Sequence, residues 1–420
     1  MLGQDLREDL ARLAESVLAL KPLMAGLVGP VRVVPLARES ALSSGDWSAG
    51  RRNRLNWLLD SVADGVGARE LSVAYDADFD DLPVFERVIS RWLALADWMG
   101  RVEQISAGDA EEVRRVVGGV RAESFESCAQ QTTVASFDGI PLNMYAAGEG
   151  DEAVVLVSAC GMPAALAESW IRFLATDRRV LTWESRGLFG AGDDDGDYAM
   201  DVGAQVADLY AVLDHDRVRT AHLIGLCGGA VIALAAAAEH PDRVTSLSLW
   251  HGAYGFADDA PTTPHQEGLI ELMTAAAGSR AVARSLHTGF CQIGLTDTPD
   301  EVAHLVLYPY ATPELFYRYC RLNTGITSTD VAQYLGRVRQ PALVVTSQDD
   351  TIAHPDGSRR IAERLRNGVL RVEAHGDHIS LFSAEPLVRM AEDFIARHPA
   401  GPASAGVGTA PAEQQPGRTT

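Results

Sequence analysis

The chain has 420 residues, of which 47% are apolar and 22% are charged, and its formal net charge is −21. This is the composition of a globular protein, and the negative charge disfavours nucleic acid and anionic membrane surfaces as partners. The sequence has no apolar leader segment, no apolar run of about 18 residues and no C-x-x-C pair among its five cysteines. We therefore expect a reduced, cytoplasmic protein with no bound cofactor and no metal site.

Residues 1–125 predict an all-α N-terminal extension. Apolar residues recur there at three- and four-residue steps, as one face of an amphipathic helix requires. The repeats lie in four stretches, at 6–20, 55–62, 84–95 and 113–120. Between the first two, the Gly-, Pro- and Ser-rich segment 29–50 predicts a loop.

The pattern changes near residue 131. A hairpin turn at Asp138-Gly139 is followed by short apolar runs that alternate with helical stretches. Unbroken apolar strands separated by helices predict a mostly parallel sheet covered by helices on both faces. We assign this α/β core to residues 131–255 and 336–398, interrupted by a helical cap at 256–335 and followed by a disordered tail at 399–420.

The strongest chemical signal is the sequence Gly225-Leu226-Cys227-Gly228-Gly229. It follows an apolar strand and precedes an alanine-rich helix, which is the context of a nucleophile elbow. Its neighbours must be small because strand and helix approach closely, and the start of a helix favours a thiolate. The pattern predicts Cys227 as a nucleophile, with a buried structural cysteine as the alternative.

This elbow, set in a chain of alternating strands and helices, is similar to that of the cysteine-nucleophile branch of the α/β-hydrolase superfamily. The resemblance implies an α/β-hydrolase fold, in which a catalytic acid and then a histidine follow the nucleophile along the chain. Two later strand ends offer Asp349 or Asp350 and His375 or His378. The family pattern favours Asp350, fourth in its turn, and His378, in a Gly-x-His sequence, while the other two residues stay open as alternatives.

The resemblance also implies an oxyanion hole made of two backbone amides. One is that of Gly228, the residue after the nucleophile. The other is that of Met162, in a loop where many relatives carry His-Gly-x-Pro and this chain has Cys160 in place of the histidine. Arg186, in a segment similar to the D-x-R-G-x-G loop, is interpreted as structural. His251 is interpreted as a hydrogen-bonded neighbour of the site, with a place in the lining of the pocket as the alternative.

Within the superfamily, the chain resembles the syringomycin-type aminoacyl-shuttle acyltransferases of nonribosomal peptide assembly lines. The similarity rests on the elbow, on His378 and on the extended N-terminal region. It implies that Cys227 carries an acyl thioester between the phosphopantetheine thiols of two carrier proteins, with His378 as base. A cysteine suits this reaction because exchange between thioesters is close to energy-neutral.

Three other enzyme classes share the elbow pattern. Dienelactone hydrolases are short and lack the extension, and polyhydroxyalkanoate synthases usually differ around the histidine. A type II thioesterase would use the same residues with water as the acceptor. Outside enzymes, the extension would be a docking module on an inactive scaffold, which the intact set of catalytic residue types disfavours.

Carrier proteins tend to be acidic, as this chain is. Docking would therefore need a local basic patch, for which four arginines in and after the cap are candidates: Arg318, Arg321, Arg337 and Arg339. The alternative is that these arginines are scattered over the surface.

Overall fold

A computed structural model of the protein describes residues 2–36, 47–189, 196–258, 261–382 and 385–399. Nearly all of the predicted tail, and ten residues of the predicted loop (37–46), lie outside these ranges. Within them, no helix combines the length and the apolar character that a membrane crossing requires.

The described part of the extension contains five helices, and the first four bury apolar faces against one another, with Leu10, Val17 and Leu59 fully buried. The helices are α1 (Gln4–Gly26), α2 (Ala49–Val66), α3 (Val84–Leu93), α4 (Ala110–Ala122) and α5 (Phe125–Cys128). The all-α prediction is wrong in one respect: β1 (Val31–Val33) and β2 (Leu71–Val73) pair as a parallel two-stranded sheet. Runs of three residues are too short for periodicity to distinguish from loop.

The core is an eight-stranded sheet, ordered β10-β9-β8-β7-β5-β6-β4-β3. Its strands are β3 (Gln130–Ala135), β4 (Pro141–Ala147), β5 (Ala153–Val157), β6 (Arg179–Trp183), β7 (Ala221–Leu226), β8 (Val244–Trp250), β9 (Ala342–Ser347) and β10 (Gly368–Glu373). The β3–β4 and β4–β6 pairs are antiparallel and the other pairs are parallel. The predicted hairpin forms around Gly139, whose φ is +83°. The mostly parallel sheet is confirmed.

Helices cover both faces of this sheet: α6 (Glu168–Leu174), α7 (Val202–His215), α8 (Gly229–Glu239), α14 (Pro355–Arg364) and α15 (Glu385–Ala396). Every residue of β5, β7 and β9 is buried, which explains why these strands read as unbroken apolar runs. Helix α8 is buried from Gly229 to Ala238, so its small side chains let it pack directly against the sheet.

Between β8 and β9 the chain forms five further helices: α9 (Pro264–Ala277), α10 (Arg280–Asp297), α11 (Asp300–Val306), α12 (Pro313–Thr327) and α13 (Ala332–Leu335). Helix α12 lies against the carboxyl edge of the sheet, because Tyr319 contacts Gly161 and Ile326 approaches Gly228. On its other side, this cap contributes Cys291 and Leu307 to the apolar cluster of the extension. Extension, cap and core therefore meet in one region.

Candidate active site

Cys227 lies on a sharp turn between β7 and α8. Its φ is +55°, a conformation that costs a non-glycine residue about 1–3 kcal/mol, and its amide donates to the Trp250 carbonyl at 2.9 Å. A Cβ added to Gly225 would lie 2.5 Å from Ala230 Cα, and one added to Gly229 would lie 2.1 Å from a β5 carbonyl oxygen. The two glycines are thus required by the close approach of strand and helix, and together they hold the cysteine in its strained position.

Four neighbouring strands end at this edge of the sheet, and each is followed by a residue of the site. Cys227 follows β7, His251 follows β8, Asp350 lies just after β9 and His378 lies in the loop after β10. Chain order also reverses here, because β6 and β7 lie on opposite sides of β5. Such a switch point is where open α/β sheets form their binding crevices.

Asp350 is the centre of a buried hydrogen-bond network. Its Oδ2 accepts from His378 Nδ1 at 2.9 Å and from His251 Nδ1 at 2.8 Å. Its Oδ1 accepts from the amides of Ile352 and Ala353 at 2.9 and 2.8 Å. Burial disfavours the charged carboxylate, but these donors outweigh it and hold the pKa of Asp350 well below its usual range. The carboxylate is therefore ionised and fixed in orientation.

His378 connects this carboxylate to the thiol. Its Nε2 is buried and has no hydrogen-bond partner among the described residues, while the ring interacts electrostatically with the Cys227 side chain. Burial disfavours the imidazolium, yet the charge of Cys227 and the hydrogen bond with Asp350 raise the pKa of His378 to about 10. The arrangement can hold a thiolate beside an imidazolium, or move a proton between sulfur and nitrogen.

His251 is a hydrogen-bonded neighbour of the site, as the sequence interpretation expects. It shares the same carboxylate oxygen as His378, and the two ring centres are 5.8 Å apart. Its φ of +49° is again unusual for a non-glycine residue, and its Nε2 is buried without a partner in the described parts of the chain. The only signal in the sequence was its position at a strand end beside the elbow.

One ring nitrogen each of His251 and His378 and one carboxylate oxygen of Asp350 lie within 4.8 Å of one another, close enough to hold a metal ion. Both imidazole Nδ1 atoms, however, contact the carboxylate at hydrogen-bond distance. A hydrogen-bonded network accounts for this geometry.

The alternative acid and histidine form a pair of their own at the surface. His375 Nδ1 lies 3.5 Å from Asp349 Oδ2, with the two side chains 93% and 57% exposed. The His378 and Asp350 side chains are only 5% and 0% exposed. The structure brings His378 and Asp350 to Cys227 and leaves Asp349 and His375 outside.

The two predicted oxyanion donors differ in availability. The amide of Gly228 lies at the start of α8, where a helix leaves its first N–H groups without intrahelical acceptors. The amide of Met162 donates to the Ala159 carbonyl at 3.2 Å within its own turn. Its role stays a prediction, and Met162 would have to release Ala159 before donating to an oxyanion.

Buried ionic contacts hold the loops beside the site. Arg186 is almost fully buried and pairs with Asp208 and Asp138, which accounts for it structurally. Glu184 accepts from the Asn143 amide group at 2.9 Å and from the Ala164 amide at 3.2 Å. Burial raises the pKa of Glu184 to about 7, in opposition to these hydrogen bonds.

The predicted arginine patch needs a correction. Arg318 is only 2% exposed, and its guanidinium binds Glu314 and the Gly187 carbonyl. It is tied up between cap and core because its helix packs against the loop after β6. Arg318 is therefore not available as a docking residue, whereas Arg337 and Arg339 are exposed.

The sheet topology, the strained elbow and the carboxyl-edge site define an enzyme of the α/β-hydrolase superfamily. The chain belongs to the Hydrolase_4 family (serine aminopeptidase, S33), which it matches over residues 152–382. The predicted α/β-hydrolase fold is thereby confirmed.

The curated relatives include proteins that carry the names of hydrolases. A putative carbamate hydrolase RutD of Variovorax paradoxus is 27% identical over 267 residues, which cover 61% of this chain and 97% of that protein. The human serine hydrolase BPHL is 23% identical over 65% of this chain and 89% of its own length.

Solved structures show the same fold. An esterase from Exiguobacterium antarcticum is 16% identical with a TM-score of 0.51, over 63% of this chain and 98% of the esterase. A hydrolase from Pseudomonas aeruginosa PA01 is 19% identical with the same TM-score, over 63% of this chain and 98% of its own.

Proposed function

We propose that the protein is an acyltransferase that moves an acyl group, in particular an aminoacyl group, between the phosphopantetheine thiols of carrier proteins. The acyl group would be held as a thioester on Cys227. The observation that carries this proposal is the sulfur at the elbow, in contact with a buried histidine whose pKa is raised. This function places the protein in the biosynthesis of a natural product such as a nonribosomal peptide.

The choice of sulfur supports transfer between thiols. An acyl group on Cys227 is a thioester, like the donor and the product, so neither half-reaction runs strongly downhill. A serine would form a more stable oxoester, and the second transfer would then lose driving force. Cysteine at the elbow therefore matches a reversible exchange between thioesters.

The burial of the acid and the base supports the same reading, although Cys227 itself is only half-buried. His378 and Asp350 are closed off from solvent, and the cap side chains Tyr319 and Ile326 pack over the loops beside Cys227. An acyl-enzyme that must wait for a second carrier is protected when water is kept away from it.

The reaction would proceed in two mirrored halves. The Cys227 thiolate attacks the carbonyl carbon of the donor thioester, and the amide of Gly228, with that of Met162, holds the oxyanion. The intermediate collapses, the bond to the carrier sulfur breaks, and the departing thiolate takes a proton from His378. In the second half, His378 removes the proton of the acceptor thiol, which attacks the acyl-enzyme and releases Cys227.

Hydrolysis is the second candidate, because the relatives named above are hydrolases. A cysteine-dependent thioesterase would use the same residues and pass the acyl group from Cys227 to water.

Intact mass spectrometry separates the two functions. The protein is mixed with an aminoacyl-loaded carrier and an empty second carrier of different mass. Transfer predicts an acyl adduct on the enzyme that is absent in Cys227→Ala, followed by the same mass on the second carrier.

Release of the free acid without any label on the second carrier would identify a thioesterase. Transfer by Cys227→Ala at the rate of the unmodified enzyme would refute the nucleophile assignment under either function. A His375→Ala variant serves as the matched control, since its imidazole lies at the surface.

A further inference from the structure

Two consecutive side chains that follow β6 hold the loop that follows β5. We call this loop, residues 158–164, the oxyanion loop, because it carries one of the two predicted oxyanion donors. Ser185 Oγ accepts from the amide of Gly161 at 2.9 Å, and Glu184 Oε1 accepts from the amide of Ala164 at 3.2 Å. Adjacent residues at the end of one strand thus fix the oxyanion loop at two points.

The Met162 amide lies between these two points. Of the two residues that separate Gly161 from Ala164, Pro163 has no N–H group, so Met162 supplies the only N–H of that stretch. This N–H donates to the Ala159 carbonyl at 3.2 Å within its own turn. Gly161, whose φ is +82°, can follow a rotation of the next peptide group, because glycine populates both signs of φ. Such a rotation would free the Met162 amide while the amides on both sides stay bound.

Glu184 is itself held in place. Its Oε2 accepts from the Asn143 side chain at 2.9 Å, and its main-chain amide donates to the Asn143 carbonyl at 2.9 Å. The residue is only 7% exposed, and a buried carboxyl group is costly to desolvate even when it is hydrogen-bonded. An apolar side chain would avoid that cost, so we expect the carboxyl oxygens to be needed where they stand.

Open space lies beside the oxyanion loop. A cavity of about 1150 Å³ forms where the extension, the core and the cap meet, and its lining includes Pro163, Glu184 and Leu188. Packing cannot restrain the loop on a side where few atoms touch it. The hydrogen bonds to Glu184 and Ser185 therefore supply a restraint that close packing does not supply there.

Other parts of the oxyanion loop touch the cap and the nucleophile elbow. A Cβ added to Gly161 would lie 2.6 Å from the Tyr319 ring, and one added to Gly228 would lie 3.3 Å from Cys160 Sγ. A displacement of the loop therefore changes its spacing from Gly228, whose amide is the other predicted oxyanion donor.

We propose that Glu184 and Ser185 are positioning residues that fix the oxyanion loop on both sides of Met162, so that its amide reaches the oxyanion when the peptide group turns. They act through the main chain and do not touch the acyl group. The inference rests on the acyl chemistry proposed for Cys227. It holds for transfer and for hydrolysis, since both pass through a tetrahedral oxyanion.

Two reactions of the same sulfur separate this role from a structural one. Acylation of Cys227 by an aminoacyl N-acetylcysteamine thioester passes through an oxyanion. Alkylation by iodoacetamide does not, because the sulfur forms a bond to carbon as iodide leaves. Both are followed by mass spectrometry of the Cys227 peptide at pH 8, where Glu184, whose pKa is raised to about 7 by burial, is ionised.

Ser185→Ala should lower the limiting rate of acylation about 10- to 100-fold, with little change in the half-saturating thioester concentration, because the oxyanion exists only after attack. Its rate of alkylation should stay within about twofold, since the thiolate is unaffected. Ser185→Thr keeps the hydroxyl and should recover most of the acylation rate. Ser127→Ala, which removes an exposed hydroxyl of the extension, is the matched control.

Glu184 is tested by two substitutions of similar size. Glu184→Gln keeps an oxygen for the Ala164 amide, and Asn143 can turn its own amide to face the new NH₂ group, so acylation should stay within about fivefold. Glu184→Leu removes both oxygens and should lower acylation as far as Ser185→Ala does. A loss in Glu184→Gln as large as that in Glu184→Leu would show that the charge, and not the hydrogen bond to the loop, is what matters.

The inference and the proposed function fail separately. Unchanged acylation in Ser185→Ala, or an equal loss of acylation and alkylation, would overturn the positioning role while acyl transfer stands. If no thioester acylates the unmodified protein, the proposed function fails and an aldehyde decides the inference. The Cys227 sulfur adds to the aldehyde carbon, the carbonyl oxygen takes up the thiol proton, and Ser185→Ala should weaken this adduct about tenfold. An adduct of unchanged affinity would overturn the positioning role.

Discussion

The protein contains two aspartate–histidine pairs whose corresponding members lie within three residues of each other in the sequence. Asp349 and His375 meet at the surface at 3.5 Å, and Asp350 and His378 meet in the interior at 2.9 Å. The residue types are the same in both pairs. The two aspartates are one residue apart in the loop after β9, and the two histidines are three residues apart in the loop after β10. Burial, two main-chain donors to Asp350 and contact with Cys227 make the inner pair a chemical unit. An exposed pair is screened by water and contributes little.

Removing the two imidazoles in turn should give the largest contrast. His378→Ala should lower the rate of Cys227 acylation about 10⁴-fold, because no group remains to exchange a proton with the sulfur. His375→Ala should lower it less than about twofold, since its imidazole touches only an exposed carboxylate. The measurement is single-turnover acylation followed by mass spectrometry, and equal losses in both variants would overturn the assignment of the base.

Neutralising the two carboxylates should give the next largest contrast. Asp350→Asn keeps the size of the side chain but removes the charge that orients and stabilises the His378 imidazolium, so acylation should fall about 10³-fold. Asp349→Asn is the matched control and should remain near the unmodified rate. A large loss in Asp349→Asn with little in Asp350→Asn would make the outer carboxylate the catalytic acid.

The titration of His378 should depend on the sulfur. The pKa of His378 is raised from 6.5 to about 10 in the folded protein, and the charge of Cys227 is one of the causes. In Cys227→Ala, His378 should therefore lose its proton at a lower pH than in the unmodified protein, as an NMR titration of the imidazole would measure. Cys160→Ala, which removes the neighbouring thiol, should keep the high value, and identical curves for all three proteins would contradict the coupling.

The smallest effect is expected at His251, a positioning residue that shares Asp350 with His378. His251→Ala removes one donor to a buried carboxylate and should lower the free energy of unfolding by about 1–3 kcal/mol and acylation about tenfold. Because that donor helps to lower the pKa of Asp350, the acid limb of the pH–rate profile should move to higher pH. His251→Asn, which retains a donor and tolerates positive φ, should restore most of the profile, and a purely structural role would leave the profile in place.

Much of the fold and of the site could be predicted from local sequence patterns. Apolar runs without polar interruption marked β5, β7 and β9, because strands buried on both faces exclude polar side chains. Gly225 and Gly229, two residues before and two residues after Cys227, indicated the elbow, because no larger side chain fits there between β7 and α8. The two three-residue strands of the extension could not be predicted from the sequence, because three residues are too few to show the alternation of apolar and polar side chains that is typical of a strand.

By itself, the sequence determined the fold class, the elbow and the short candidate sets for acid and histidine, since each depends on residues close together in the chain. Only the tertiary structure brought Asp350 and His378, rather than Asp349 and His375, together in the interior, added His251 to the same carboxylate, and buried Arg318 between the cap and the core. It alone also formed the cavity where the extension, the core and the cap meet. Contacts between segments that are distant in the chain arise from tertiary packing, and they leave no local pattern for a single sequence to display.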